Sequence, residues 1–507
     1  MSRLYLFVFC FLILGCQSVK KANADFEKKV PVEALQQDID QAYTALKRFH
    51  PELFWYISEQ DLTKKLDSLK FSIDQPLNRQ EFYFKLAPVI AQIREGHLRL
   101  RMPQKQYTKA ETKAFEKKTP LFGQYTYRIS ADKIIVNRAT IDSEKKLNPG
   151  TEILEINGVK TKDLISKYRS LITSDGYNQT YYKYAMSEAF FSYYTAEYGL
   201  LNEANLKINF NNQISNFTLK RIDKEEAKKQ KYEPSKEAKK IYDFDARTNS
   251  FNRSMRFATP DSTVAYIKIK TFSDTGSSKF YKKTFKKIKE AKSKYLILDI
   301  RNNLGGSLDE INNLYSYLTN ENYTLVKMPE MTFKNAATHR NYFFNLSATS
   351  KIISAPAYPF FLAGNKFLSG VNSNGTAIFK ESAAKESKSN KDAFKGKIYV
   401  LINGASFSAS SVLSAKLKFD KRATIVGEET GGANDGTVAG FNNSIQLKNS
   451  KIDLPIGLLF IQPNINPVGQ KRGVMPDVEV DSDFYNIHQD KDLQLQWILS
   501  DIKKKSD

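Results

Sequence analysis

Leu296-Ile297-Leu298-Asp299-Ile300-Arg301-Asn302-Asn303-Leu304-Gly305-Gly306-Ser307 is the stretch from which the rest of the chain is read. An apolar run ends in a polar, glycine-rich turn, and helical spacing follows from Leu308 to Leu318. That is a strand, a turn and a helix start. Glycine lets backbone N–H groups approach a ligand closely, and a helix N-terminus adds partial positive charge. Such a turn suits a developing oxyanion. Taken alone, it fits a plain strand-to-helix turn at least as well.

Working outward, a second stretch has the same form. Val400-Leu401-Ile402-Asn403-Gly404-Ala405-Ser406-Phe407-Ser408-Ala409-Ser410-Ser411 delivers a small-residue turn with several hydroxyls to a helical run from Val412. Any one of these serines could be an ordinary helix cap. The functional reading is a nucleophilic serine where backbone dipoles favour negative charge. A third segment is Ile425-Val426-Gly427-Glu428-Glu429-Thr430-Gly431-Gly432, and Gly473-Val474-Met475-Pro476-Asp477 follows later. Short β-rich runs at Val264–Ile269, 295–300, 398–402 and 424–426 alternate with helical patterns such as Phe280 to Ala291. Alternation of this kind predicts an α/β core with a partly parallel sheet. The elbow of α/β-hydrolases, the zincin helix motif, the Walker loop and the dinucleotide glycine pattern are all missing from the sequence.

In their order, these segments resemble the C-terminal-processing and tricorn-type serine peptidases. The resemblance implies an α/β multidomain protein: a helical N-terminal cap, a small β-rich PDZ-like domain and a ClpP/crotonase-like catalytic core. It implies Ser408 as nucleophile. It also implies an oxyanion hole from Gly305 or Gly306 and the backbone N–H of Ala409. The processing-peptidase branch carries a lysine base just after its glycine-glutamate segment, and this sequence has Ala433 there. The tricorn-like branch uses a histidine from a turn before the PDZ-like domain, which falls on His97 in Glu95-Gly96-His97-Leu98. Imidazole titrates near neutrality and suits a general base. Of the four histidines, His50 precedes Pro51 in a helical stretch, His339 sits in a lid-like region and His488 is in the tail, so His97 alone has the turn context. The tricorn-like pattern places a glutamate shortly before its Gly-Val-x-Pro-Asp motif. Gln470 takes that place here, with Glu428 an alternative by residue type, and the orienting residue stays open between them.

The remaining chain divides by pattern. Met1 to Cys16 reads as an export signal with a short apolar core, Leu4 to Leu14, too short to span a membrane. Leu12-Ile13-Leu14-Gly15-Cys16 resembles a bacterial lipobox, which implies lipidation of Cys16. The expected layout is a signal over 1–15, a lipidated tether over 16–31, helices over 32–119 and the PDZ-like domain over 120–222. A charged linker over 223–260, the peptidase core over 261–485 and a helical tail over 486–507 complete it. The PDZ resemblance rests on Asn148-Pro149-Gly150-Thr151-Glu152-Ile153-Leu154-Glu155-Ile156-Asn157-Gly158, a turn, a short strand and a hairpin. Residues 377–395 read as a surface insertion.

Composition bounds the rest. The 507 residues are 41% hydrophobic and 12% aromatic, enough to fill large cores and to exclude global disorder. Mean hydropathy of −0.48 excludes a polytopic membrane protein. The net charge of +22 comes mostly from lysines spread along the chain, so a soluble basic surface is favoured over a nucleic-acid partner. With Cys10 inside the signal, a mature chain would keep only Cys16, so no disulfide or cysteine metal cluster is expected. No cofactor and no metal are expected. The expected partners are a protein or peptide substrate and a membrane through the lipid on Cys16, with no nucleic acid. The functional expectation is a serine endopeptidase of the bacterial cell envelope, on its periplasmic or outer-membrane side. The competing reading is a non-catalytic peptide- or ligand-binding lipoprotein on the same scaffold.

Overall fold

The computed structural model describes residues 18–141, 146–225, 227, 244–245, 250–273, 276–343, 346, 348–466, 469, 471–481 and 492–506. Cys16, Gln470 and His488 lie outside them. None of the helices among the described residues is long and apolar enough to cross a membrane.

The core is a six-stranded sheet in the order 478–479, Ala423–Gly427, Lys397–Ile402, Tyr295–Asp299, Val264–Ile269, Arg253–Phe257. All neighbours are parallel except the last pair. The central strands are buried on both faces, which is why they read as continuous apolar runs without alternation. One face packs under helices Ser277–Glu290, Leu308–Leu318 and Ala409–Phe419. The other is covered by the C-terminal helix Leu493–Ser506 through Ile498 and Ile502. Both glycine-rich turns therefore leave the carboxyl ends of adjacent parallel strands, where such sheets bind ligands.

A second, five-stranded sheet has the order Ser369–Val371, Ala377–Phe379, Glu330–Met331, Asp453–Ile461, Thr437–Gln446. The alternation described above did not reveal it. Its strand Asp453–Ile461 is buried almost throughout and also packs into the N-terminal helical core.

Before the core, helix Val32–Phe49 buries Leu35, Ile39, Ala42 and Leu46, one face at helical spacing. Helix Arg79–Ala91 starts with a capping box formed by Asn78 and Glu81. It runs out into the turn that carries Glu95, Gly96 and His97. Next comes an antiparallel sheet in the order Tyr125–Ser130, Lys133–Ala139, Glu152–Ile156, Glu203–Phe210, Gln213–Lys220, with helices Thr161–Arg169 and Tyr181–Tyr198. The hairpin read from Asn157-Gly158 is present, with both residues at positive φ, 49° and 80°.

Three segments differ from expectation. The tether carries helix Val19–Glu27, because Ser18 caps it and Phe26 finds a buried seat. The linker contains the core's edge strand Arg253–Phe257, anchored by the fully buried ion pair of Arg253 with Glu310. The supposed surface insertion supplies strand Ala377–Phe379 and the buried side chains of Phe379, Ala383 and Phe394. Lysine- and serine-rich composition concealed these few apolar anchors.

Candidate active site

Ser408 ends the second glycine-rich turn and immediately precedes helix Ala409–Phe419. Its backbone holds φ 54° and ψ −120°, a strained conformation for a residue with a side chain. The strain turns its hydroxyl outward while its neighbours point inward. Ser406 Oγ donates to the Ile300 carbonyl, Ser410 Oγ to that of Asn303 and Ser411 Oγ to that of Ser406. Ser408 Oγ instead lies 3.2 Å from His97 Nε2. The turn thus separates one hydroxyl from three structural ones.

His97 comes from the other side of the site. Its ring packs against Phe407 at 5.1 Å between centroids. On its far side, Nδ1 faces Glu95 Oε1 at 3.3 Å and Thr437 Oγ1 at 3.1 Å. Glu95 is buried, and Thr437 Oγ1 and the Val438 N–H donate to its two oxygens at 3.2 and 2.9 Å. Burial pushes the His97 pKa down. The hydrogen bond and charge of Glu95, with the charge of Asp175, outweigh it and leave the imidazole above its ordinary value. For Glu95, burial pushes up, but the bond to His97, the charges of His97 and His50 and the Val438 N–H bring it below the usual carboxylate range.

The first glycine-rich turn closes the other flank. A Cβ on Gly305 would lie 2.8 Å from Ser408 Cβ and 2.9 Å from Ala409 N, so this backbone touches the Ser408 turn. Its N–H is not available to an oxyanion, because it donates to Asn303 Oδ1 at 2.8 Å. This corrects Gly305 as a donor; the Asn303 side chain folds back into its own turn. No acceptor meets the N–H of Gly306 or of Ala409 among the described residues, and both residues line a cavity of about 230 Å³ beside Ser408. Val412, Ala439, Phe441, Leu459 and Ile461 give that cavity an apolar wall, and Asp309 and Glu381 also line it.

The other sequence candidates fall elsewhere. Glu428 is engaged by Lys183 Nζ at 2.9 Å and the Tyr184 hydroxyl at 2.7 Å, which corrects it as an orienting residue. Gln470 lies outside the described residues, and the position beside His97 Nδ1 is held by Glu95. Ala433 stands where a lysine base would, and its side chain is buried. His50 is buried, and its ring nitrogens meet no hydrogen-bond partner among the described residues, while His339 is exposed and packs on Phe49 and Phe333. Sequence reasoning missed Glu95 and Thr437 as partners of His97. Glu95 had a signal, being two residues from the histidine in the same turn; Thr437 had none.

A serine held against an imidazole, beside a cavity on an α/β core, is the arrangement of a serine hydrolase. Residues 263–480 match the family model for Peptidase family S41. The chain is a serine-type peptidase whose core carries a domain of the S41 peptidase type. No curated protein matches it significantly by sequence. Among solved structures, mature CPAF is 16% identical over 93% of this chain and 97% of its own, with a TM-score of 0.56. Mature CPAF complexed with lactacystin is 16% identical over 94% and 98%, with a TM-score of 0.58. At that identity the likeness is one of fold.

Proposed function

We propose that the chain is a serine endopeptidase in which Ser408 is the nucleophile, His97 the general base and Glu95 the residue that orients it. The observation that carries this is the 3.2 Å separation of His97 Nε2 and Ser408 Oγ. Glu95 Oε1 is an acceptor, so it favours the tautomer with the proton on Nδ1 and leaves Nε2 free to accept. Ser408 Oγ attacks the peptide carbonyl as its proton passes to Nε2. The resulting oxyanion faces the N–H groups of Ala409 and Gly306. The imidazolium, held by Glu95, then protonates the leaving amine, and an acyl-enzyme on Ser408 forms. Water activated by His97 hydrolyses it. The cavity beside Ser408 receives one substrate side chain against its apolar wall.

In the same reading, residues 120–222 are a PDZ-like module and the chain is exported and lipidated at Cys16. The peptidase is then held at the bacterial envelope, on its periplasmic or outer-membrane side. Cys16→Ser should move it from the membrane to the soluble fraction; retention in the membrane would refute the anchor.

The test of the chemistry is casein cleavage by the full chain beside Ser408→Ala and His97→Ala. Loss in both variants, each folded, supports the Ser–His pair. Wild-type rates in Ser408→Ala would end the assignment.

A further inference from the structure

Asp175 is fully buried between the two halves of the site. It belongs to the segment Thr173–Thr180, which joins helix Thr161–Arg169 to helix Tyr181–Tyr198 of the β-rich module. Its Oδ1 accepts the Gly96 N–H at 2.7 Å, and its Oδ2 accepts the Ala433 N–H at 3.1 Å. Gly96 sits between Glu95 and His97. A Cβ there would lie 2.9 Å from Asp175 Oδ1 and 2.3 Å from the Phe407 ring, so only glycine lets the carboxylate and the ring close on this turn. Ala433 ends the loop Thr430–Ala433, which lies on the nucleophile's turn. There the Gly431 and Gly432 N–H groups donate to the Ser406 carbonyl at 3.0 and 3.3 Å. A Cβ on Gly432 would meet Ser408 N at 2.7 Å. One carboxylate therefore bonds the turn that carries His97 and the loop that packs on Ser408.

The flanking residues pull the same way. Towards the histidine, the Gly176 N–H donates to the Arg94 carbonyl at 2.8 Å and Thr173 Oγ1 to that of Gly96 at 3.1 Å. Towards the nucleophile, Asn178 Nδ2 donates to the Thr430 carbonyl at 2.6 Å and Thr180 Oγ1 to that of Glu429 at 2.7 Å. The base and the nucleophile come from separate elements, and their approach depends on what stands between them.

We propose that Asp175 is a positioning residue, which sets the approach of His97 to Ser408 by clamping the turns beneath them. The β-rich module, through this residue, is then part of the peptidase machinery. The proposal rests on the Ser408–His97 reading above. A misplacement of about 1 Å in such a pair costs about 100-fold in rate, whereas substrate contacts are left as they were.

The test uses the full chain as wild type, Asp175→Ala and Asp175→Asn, with Ser408→Ala as the blank. A small fluorophosphonate reports Ser408 reactivity without a peptide-binding step, a peptide substrate gives kcat and KM, and calorimetry checks folding. Asp175→Ala should lower the labelling rate and kcat by about 30-fold or more, with KM within about threefold. Asp175→Asn should recover part of the loss, since its amide oxygen still accepts the Gly96 N–H. A folded Asp175→Ala that labels within threefold of wild type overturns the proposal. So does a rise in KM with kcat unchanged. If Asp175→Ala does not fold, wild-type kcat in Asp175→Asn overturns it. A wild type that never labels removes the Ser408 reading and this proposal with it; a labelled wild type beside an unaffected variant removes this proposal alone.

Discussion

Glu95 Oε1 lies 3.3 Å from His97 Nδ1, within one three-residue turn. The proposed base and its orienting acid thus arrive together from the end of the N-terminal helical segment, and the core has only to present Ser408. Thr437 and Val438, at the start of a core strand, receive the pair by donating to the same carboxylate.

Glu95→Gln tests that pairing. The amide keeps the shape but loses the charge that stabilises the imidazolium, and its NH2 can face Nδ1 and select the wrong tautomer. A charge-removing substitution of this kind in the familiar serine-protease triad lowers kcat by about 10,000-fold. Here kcat should fall at least about 100-fold with KM little changed. A kcat within threefold of wild type would show that Glu95 does not orient the base.

The pH profile follows from the same contacts. His97 must be neutral to accept the Ser408 proton, and Glu95 and Asp175 hold its pKa above the ordinary value. The acid limb of kcat/KM should therefore have its midpoint above about 6.5, with activity rising as pH rises through it. Removing the Glu95 charge should move that midpoint to lower pH. The stability effect runs the other way. A raised imidazole contributes stability below its unfolded pKa, and this is lost as pH rises through the folded value. The lowered Glu95 pKa contributes above its unfolded value, and this is lost as pH falls through the folded one. A profile whose acid limb lies below 6.5 would contradict the assignment of the base.

Where the sequence was legible, it was so through backbone regularity. The strands Val264–Ile269 and Tyr295–Asp299 and the helix Leu308–Leu318 fall where the apolar runs and helical spacing put them. Ser408 and His97, which the structure brings within 3.2 Å, could be singled out because each sits in a turn of characteristic residues. Asp175 could not. Its two partners lie 79 and 258 residues away along the chain and are backbone N–H groups, which carry no residue signature. Gly305 misled for a related reason. Its type announces a tight turn, but only the position of Asn303 Oδ1 shows that its N–H is already taken. The sheet of 437–446 and 453–461 was missed because Asp453–Ile461 packs on both sides and so does not alternate.

Arg253 and Glu310 test what holds the core's antiparallel edge strand. Arg253 Nε and one of its terminal nitrogens meet the two Glu310 oxygens at 2.8 and 2.6 Å, and both side chains are fully buried. Tyr281 donates its hydroxyl to the same carboxylate. Removing one partner strands a buried charge, so Arg253→Ala should cost about 3–5 kcal/mol. Chemical denaturation of the variant should show a lowered midpoint. A loss under about 1 kcal/mol would mean that water reaches the pair.

Gly305→Ala separates the geometry of the Ser408 turn from the His97–Glu95 pair behind it. Gly305 holds φ 101°, which a residue with a side chain rarely adopts. Its new Cβ would lie 2.7 Å from the Phe407 carbonyl oxygen, as well as against Ser408 Cβ and Ala409 N. None of these atoms is the end of a flexible side chain, so the turn itself must shift. The strain is about 1–3 kcal/mol, which a chain with cores of this size should survive. Ser408 and the Ala409 N–H move together, while His97 and Glu95 stay. The variant should therefore remain folded by circular dichroism and lose kcat by about 100-fold or more, with the midpoint of its acid limb unchanged because the surroundings of His97 are intact. A folded Gly305→Ala with near-wild-type kcat would show that the turn around Ser408 is looser than its contacts require.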